Sequence, residues 1–307
     1  NMTVTDSNNT GTVINEYADN TVTDGGNNLN WGFSTNSAFS WTGVVSVTWA
    51  TDGNWLGGTA PGTSDTAVFD GNVSVAGATI SSAVDVAGIS IQSDYSGTIT
   101  QSGTNTLIVG TSNYAQAGGT FTGGSGAITM NGTFALSGGT FTSTSGVLTI
   151  TSTFTNSGSG VFTHNSGTVT ATTNDFTLTT NAQAFNNFTI NANTKTITLG
   201  GALTVADTLT LTAGALDVSG SNFGITAKSW TDTGAGTFTE QAGTVTFDVT
   251  GGTINSNEAF NNVTINHAGT TTLGAALDVN DTLTLTSGAL DVSGSNFGIT
   301  AKSWTDT

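Results

Sequence analysis

The chain has 307 residues, of which 7% are charged, and it carries a net charge of −17 with three Lys, no Arg and no Cys. It lacks the cations that phosphate contacts need, which argues against nucleic acid and anionic membrane surfaces as partners. No apolar run approaches the ~18 residues that would span a bilayer, and without Cys there are no disulfides or thiolate metal sites.

The start, NMTVTD, has no basic and apolar leader and reads as a mature or excised fragment. Residues 1–37 alternate β-branched and polar residues between turn signals such as Asp24-Gly25-Gly26-Asn27-Asn28. Trp31-Gly32-Phe33 followed by STNS looks like the closing strand and linker of a β-sandwich, so 1–37 is expected to be the tail of a preceding module.

Residues 38–72 hold the only Pro, and four of the six Trp lie between positions 31 and 55. The pattern W-T-G, W-x5-W, then G-G-x-x-P-G-x-x-D-x-A-V-F is carried by Trp41, Trp49, Trp55, Gly57, Gly58, Pro61, Asp65 and Phe69. It resembles the motif that opens β-solenoid segments of bacterial autotransporter-like passengers and giant fibre-forming surface proteins. The open end of a stack of parallel strands needs a cover, and a bulky aromatic segment suits that role.

From Val73 a shorter period takes over. Phe121, Phe141 and Phe162 recur at near-constant spacing, as do Gly126, Gly146 and Gly167, and Ile128, Leu148 and Val169. The rung is roughly 20 residues, the size of one β-helix turn. Apolar residues alternate with Thr in strings such as TLTLT, giving one dry face and one hydroxylated face. Gly, Asn and Ser at the corners supply positive φ.

The segment Asp207–Thr233 returns at Asp281–Thr307, 74 residues on, with one change, Ala213 against Ser287. Dividing this unit by the rung gives four rungs, anchored at Leu209, Ile225, Val245 and Val263 before Leu283 restarts it. The expected fold is all-β: a right-handed parallel β-helix over residues 73–307, capped by 38–72 and preceded by a short β-rich segment. With ~230 residues at ~20 each, about 11 or 12 rungs would make a rod roughly 55 Å long.

Chemistry-bearing residues are few. Polysaccharide lyases with this fold commonly use Arg as base, and there is none; glycoside hydrolysis needs an opposed carboxylate pair. Asp52, Asp65 and Asp70 are the nearest unrepeated cluster, while Asp207/Asp281, Asp217/Asp291 and Asp232/Asp306 are copied with the scaffold. No enzyme and no organic cofactor is expected. Calcium has oxygen donors available at Asp217, Asn222, Asp291 and Asn296, and in the Asp6–Asn9 and Asp24–Asn28 turns, although Asx turns explain the same strings. His164 and His267 stand in turn-like strings and read as surface residues, and Lys228 and Lys302 as partners of nearby Asp.

The resemblance implies an extracellular or cell-surface protein. Its role would be the structural shaft of a fibre or filament, partnered by copies of itself or further repeats. The alternative is an adhesin binding surface glycan through the Trp-rich segment.

Overall fold

The computed structural model describes residues 2–5, 14–15, 22–24, 31–32, 38–232, 234–292 and 294–307. Most of 1–37, with the Asp6–Asn9 turn, residues 25–28 and the reading of a β-sandwich tail, lies outside them. Within that stretch Met2–Val4 pairs with Val22–Asp24, and Ile14–Asn15 with Trp31–Gly32, both in parallel. The helical content described is one 3-10 turn, Asp52–Asn54. The rest is a parallel β-solenoid with turns of about 21 residues, which divides into two compact units: 1–142 with 158–161, and 143–157 with 162–307.

In the first unit each turn has three short strands, one per face. Thr98–Gln101, Leu107–Val109 and Tyr114–Gln116 make one turn; Thr120–Thr122, Ile128–Met130 and Phe134–Leu136 make the next. Successive turns pair in register, Thr98 with Thr120, Leu107 with Ile128 and Tyr114 with Phe134. Strand alternation then places every second residue inside. Ile99, Phe121 and Phe141 form one fully buried column. The Phe121 and Phe141 rings lie 4.8 Å apart and 8° from parallel, and Tyr114 stacks on Phe134 at 5.1 Å and 2°. Such pairs add about 0.5–1.5 kcal/mol each beyond their burial.

The corner glycines serve a second purpose besides positive φ. Gly126 is not among the positive-φ residues; a Cβ there would run into the carbonyl of Asn105 in the preceding turn. Its counterpart Gly167 would bring a Cβ to 2.5 Å from the Gly146 carbonyl oxygen. Close stacking of turns, more than the turn conformation, demands glycine here. Several positive-φ corners are filled by Asn instead, among them Asn113, Asn181 and Asn222.

In the second unit the strands lengthen, Asn187–Leu199 to 13 residues and Leu203–Asp217 and Leu277–Asp291 to 15, because they run round corners through β-bulges without breaking. Three of the interior columns trace its faces. The first is Leu203, Ile225, Val245, Val263, Leu283 and Trp304. The second is Leu148, Val169, Phe188, Leu209, Trp230, Ile254 and Leu273. The third runs Phe176, Ile197, Leu216, Phe238. Phe162 is buried edge-on against Phe154 and Phe185.

This corrects the reading of the 74-residue unit as four rungs. Leu209 belongs to the second column, whereas its copy Leu283 belongs to the first. The period therefore carries the chain through three turns and two of the three faces. Identical residues of the two copies do not stack; the second copy is rotated by one face. One long strand serves three faces, and the identical TLTLT string sits on a different one in each copy.

Candidate functional site

The Trp-rich segment 38–72 forms a closed aromatic cluster. Thr66–Phe69 pairs with Ala38–Ser40 on one side and Gly88–Ile91 on the other, aiming Ala67 and Phe69 inward. Trp41 meets Trp55 edge-on at 5.0 Å, Trp49 meets Trp55 at 4.9 Å, and Phe69 lies within 5.6–5.9 Å of all three. Each indole is at most 2% exposed, and Pro61 is buried as well.

The polar edges are satisfied internally. Trp55 Nε1 donates to the Trp49 carbonyl at 2.7 Å. Trp41 Nε1 and Tyr95 Oη both donate to the Ala76 carbonyl, at 3.0 and 2.7 Å. A sugar ring has no open indole face here to stack on. The exposed residues of the segment include three valines, Val44, Val45 and Val47, on one loop.

Asn54, which the sequence pattern did not single out, holds that valine loop. Its Oδ1 accepts from Val45 and Ser46 N–H at 3.0 and 2.8 Å, and its Nδ2 donates to Ser46 Oγ and the Thr48 carbonyl at 3.0 and 2.7 Å. All of its bonding capacity is used in a fully buried position. Gln101 and Gln116 do similar work inside the first unit. Gln116 Nε2 donates to the Gly118 and Thr140 carbonyls, each at 3.0 Å, while its Oε1 accepts from Tyr114 Oη at 2.7 Å. Their signal is an amide at an inward strand position, two residues after Ile99 and Tyr114.

The carboxylates structure turns. Asp52 Oδ1 accepts from Ala60 N–H at 3.0 Å, Asp65 Oδ2 from Gly62 N–H at 2.9 Å, and Asp70 Oδ1 from Asn72 N–H at 2.8 Å. The calcium candidates do likewise: Asp217 Oδ1 accepts from Ser219 N–H at 2.8 Å, and Asn222 Oδ1 from Ala242 N–H in the next turn at 2.9 Å. Asp291 and Asn296 are the repeat copies of this pair. Among the described residues no three His, Cys, Asp or Glu side chains are grouped to hold a metal ion.

Each Lys pairs with an Asp of the preceding turn: Lys195 with Asp175, Lys228 with Asp207 and Lys302 with Asp281, at 3.4, 3.2 and 3.1 Å. All three pairs are solvent-accessible, the kind worth about 0–1 kcal/mol. Asp175 also accepts from Thr196 N–H at 2.7 Å, and this bond, with Lys195 beside it, holds its carboxyl below the usual range.

His164 accepts from Ser166 N–H at 3.4 Å. His267 departs from the surface reading. It is buried where the strand bulges between Asn266 and Thr270, its Nδ1 accepts from Gly269 N–H at 3.1 Å, and Nε2 lies 2.8 Å from the buried Thr271 Oγ1. With Nδ1 an acceptor, Nε2 carries the proton and donates to Thr271.

Trp304 is 53% exposed, whereas its copy Trp230 is fully buried against Phe238 and Phe260 at 4.8 and 5.1 Å. No helix is long and apolar enough to cross a membrane among the described residues. A scan against family models matches none, and searches of curated proteins and of solved structures likewise return no match.

Proposed function

We propose that the chain is a length of structural shaft in an extracellular fibre or cell-surface filament, built by stacking solenoid turns and able to associate end to end. The observation that carries this reading is the in-register stacking of turn on turn, seen in the column Leu203, Ile225, Val245, Val263 and Leu283 and repeated without a break through the second unit.

The side chains able to do chemistry support the same view. The Asp cluster at 52, 65 and 70 ties down turn N–H groups, and the Lys residues bridge adjacent turns, so we assign the chain no catalytic role. Placement outside the cell agrees with the resemblance of the 41–69 motif and with a surface of Thr, Ser and Asn. The adhesive alternative through Trp41 and Trp55 finds those indoles already spent on packing. Negative-stain imaging across a concentration series tests the proposal. Thin fibres that lengthen with concentration are expected, and compact particles of constant size would overturn it.

A further inference from the structure

Residues 95–174 contain no Asp, Glu, Lys or Arg, although the chain as a whole holds 20 acidic residues. Solubility favours surface charge, so a stretch this long that stays neutral points to a surface with another task. The face that begins at Ala78–Ile80 and runs into this stretch is tiled with threonine. Its strands Ala78–Ile80, Thr98–Gln101, Thr120–Thr122 and Thr140–Thr142 pair in parallel, with no bulge in the register. Ile99, Phe121 and Phe141 point inward, so the residue on either side of each points out. Thr79, Thr100, Thr122 and Thr142 stand in one outward row. Thr98, Thr120 and Thr140 stand in a second. All are exposed or half-exposed, and no hydroxyl among them is bonded to another described group.

The rows form a rigid lattice. Threonines repeat at about 4.8 Å from turn to turn and at about 6.6 Å, two residues, along each strand. β-Branching keeps each side chain stiff at χ1. Beneath them the Phe121 and Phe141 rings stack 4.8 Å apart and 8° from parallel, which fixes the floor. The margins are clear as well. Gly118-Gly119 and Gly138-Gly139 precede two of the strands, and Gly123-Gly124 follows one. A Cβ on Gly139 would run into the Gly118 and Gly119 carbonyls of the preceding turn, so no side chain can rise at that edge.

We infer that this face is a binding surface for ice. It offers hydroxyl and methyl groups in a fixed plane, on a repeat close to that of the oxygen rows of ice. Water over such a plane is ordered before contact, so adsorption loses little further freedom. Charged side chains would impose hydration shells of their own, and 95–174 has none. Other occupants fit less well. Neutral polysaccharide stacks on open aromatic faces, and Phe121 and Phe141 are buried under the hydroxyls. Protein interfaces centre on Trp, Tyr and Arg anchors, and these rows present only Thr. Ice binding uses the side of the solenoid and is independent of fibre growth.

Slow directional freezing of the intact protein tests this. The unaltered protein should be taken into the ice, and expulsion into the liquid with other solutes would overturn the proposal. Thr122→Tyr stands a ring in the middle of the lattice. It should lower uptake by at least about tenfold, because several hydroxyls lose contact together. Ala115→Tyr adds the same ring to another face of the neighbouring turn, where Ala115 is exposed, and should leave uptake unchanged. Equal uptake of these two variants would remove the assignment to this face.

Circular dichroism checks that each variant folds. Thr98→Lys, at an exposed position, puts a charge on the lattice with little steric demand and should also lower uptake. Unchanged uptake in that variant counts against the proposal even if Thr122→Tyr fails to fold. Retention on powdered cellulose that Thr122→Tyr abolishes, with the unaltered protein expelled from ice, would replace ice by a neutral polysaccharide.

Discussion

Trp230 and Trp304 are the same residue in the same local sequence, so replacing each with Ala isolates what a covering turn contributes. Trp230 is fully buried, with Phe238 at 4.8 Å and Phe260 at 5.1 Å, both packed edge to face against it. Truncation there removes most of the ring's burial and leaves a cavity among aromatic neighbours, at about 3–5 kcal/mol. Trp304 is 53% exposed. Its truncation loses roughly half the area at about 25 cal/mol per Å² and opens no enclosed cavity. Because the extended-chain reference overstates burial, roughly 1–2 kcal/mol is the expected cost. A difference of about 2–3 kcal/mol between the two variants follows. Circular dichroism during urea unfolding of dilute protein reads it, with hydrogen exchange to show whether the loss is confined to nearby turns, as a chain of nearest-neighbour contacts requires. Equal losses, or a larger one at Trp304, would refute the claim that the next turn supplies the burial.

Asn54→Ala strips the valine loop of four hydrogen bonds and should cost about 2–4 kcal/mol; limited proteolysis should then cut near residues 44–48 first, and an unchanged pattern would count against the role given to Asn54. Gly126→Ala pushes a methyl into the Asn105 carbonyl and should destabilise the first unit by about 1–3 kcal/mol in urea melts, while Gly103→Ala, with open space around it but φ +57°, tests whether conformation alone would be as harmful. The Asp175 carboxyl is held below its usual range by Thr196 N–H and then Lys195. Its stabilising effect is thus complete above about pH 4, the ordinary carboxylate range, and is lost as pH falls through the lowered folded value. Asp175→Asn should flatten the acid limb of a stability-against-pH curve, and an unaltered limb would show the group to be uncoupled from folding.

The fold was legible because short three-sided turns leave a plain trace. Phe121 and Phe141 mark one column directly, and Leu148 and Val169 another. The buried amides were not legible, since Asn54, Gln101 and Gln116 look like surface residues until alternation is followed through Ile99–Gln101 and Tyr114–Gln116. His267 was misread for a related reason. NHAG resembles a corner, but a β-bulge turned the ring inward onto Thr271, and bulges leave little trace in apolar alternation.

The face assignment of Leu209 exposes a deeper limit of periodicity. A repeat of 74 residues and a turn of about 21 do not divide evenly, and the structure resolves the mismatch by rotation: Leu209 stacks under Trp230, whereas its copy Leu283 stacks under Trp304 on another face. Covalent repetition and spatial stacking are then separate periodicities that share one backbone. Three such repeats would return a residue to its starting face. A side chain copied with the repeat, Lys228 to Lys302 for example, is thereby offered to successive sides of the solenoid, and no single side collects all copies. For a shaft this distributes charge evenly around the axis, and it means that selection for a ligand site repeated along one face would have had to act against the length of the duplication itself.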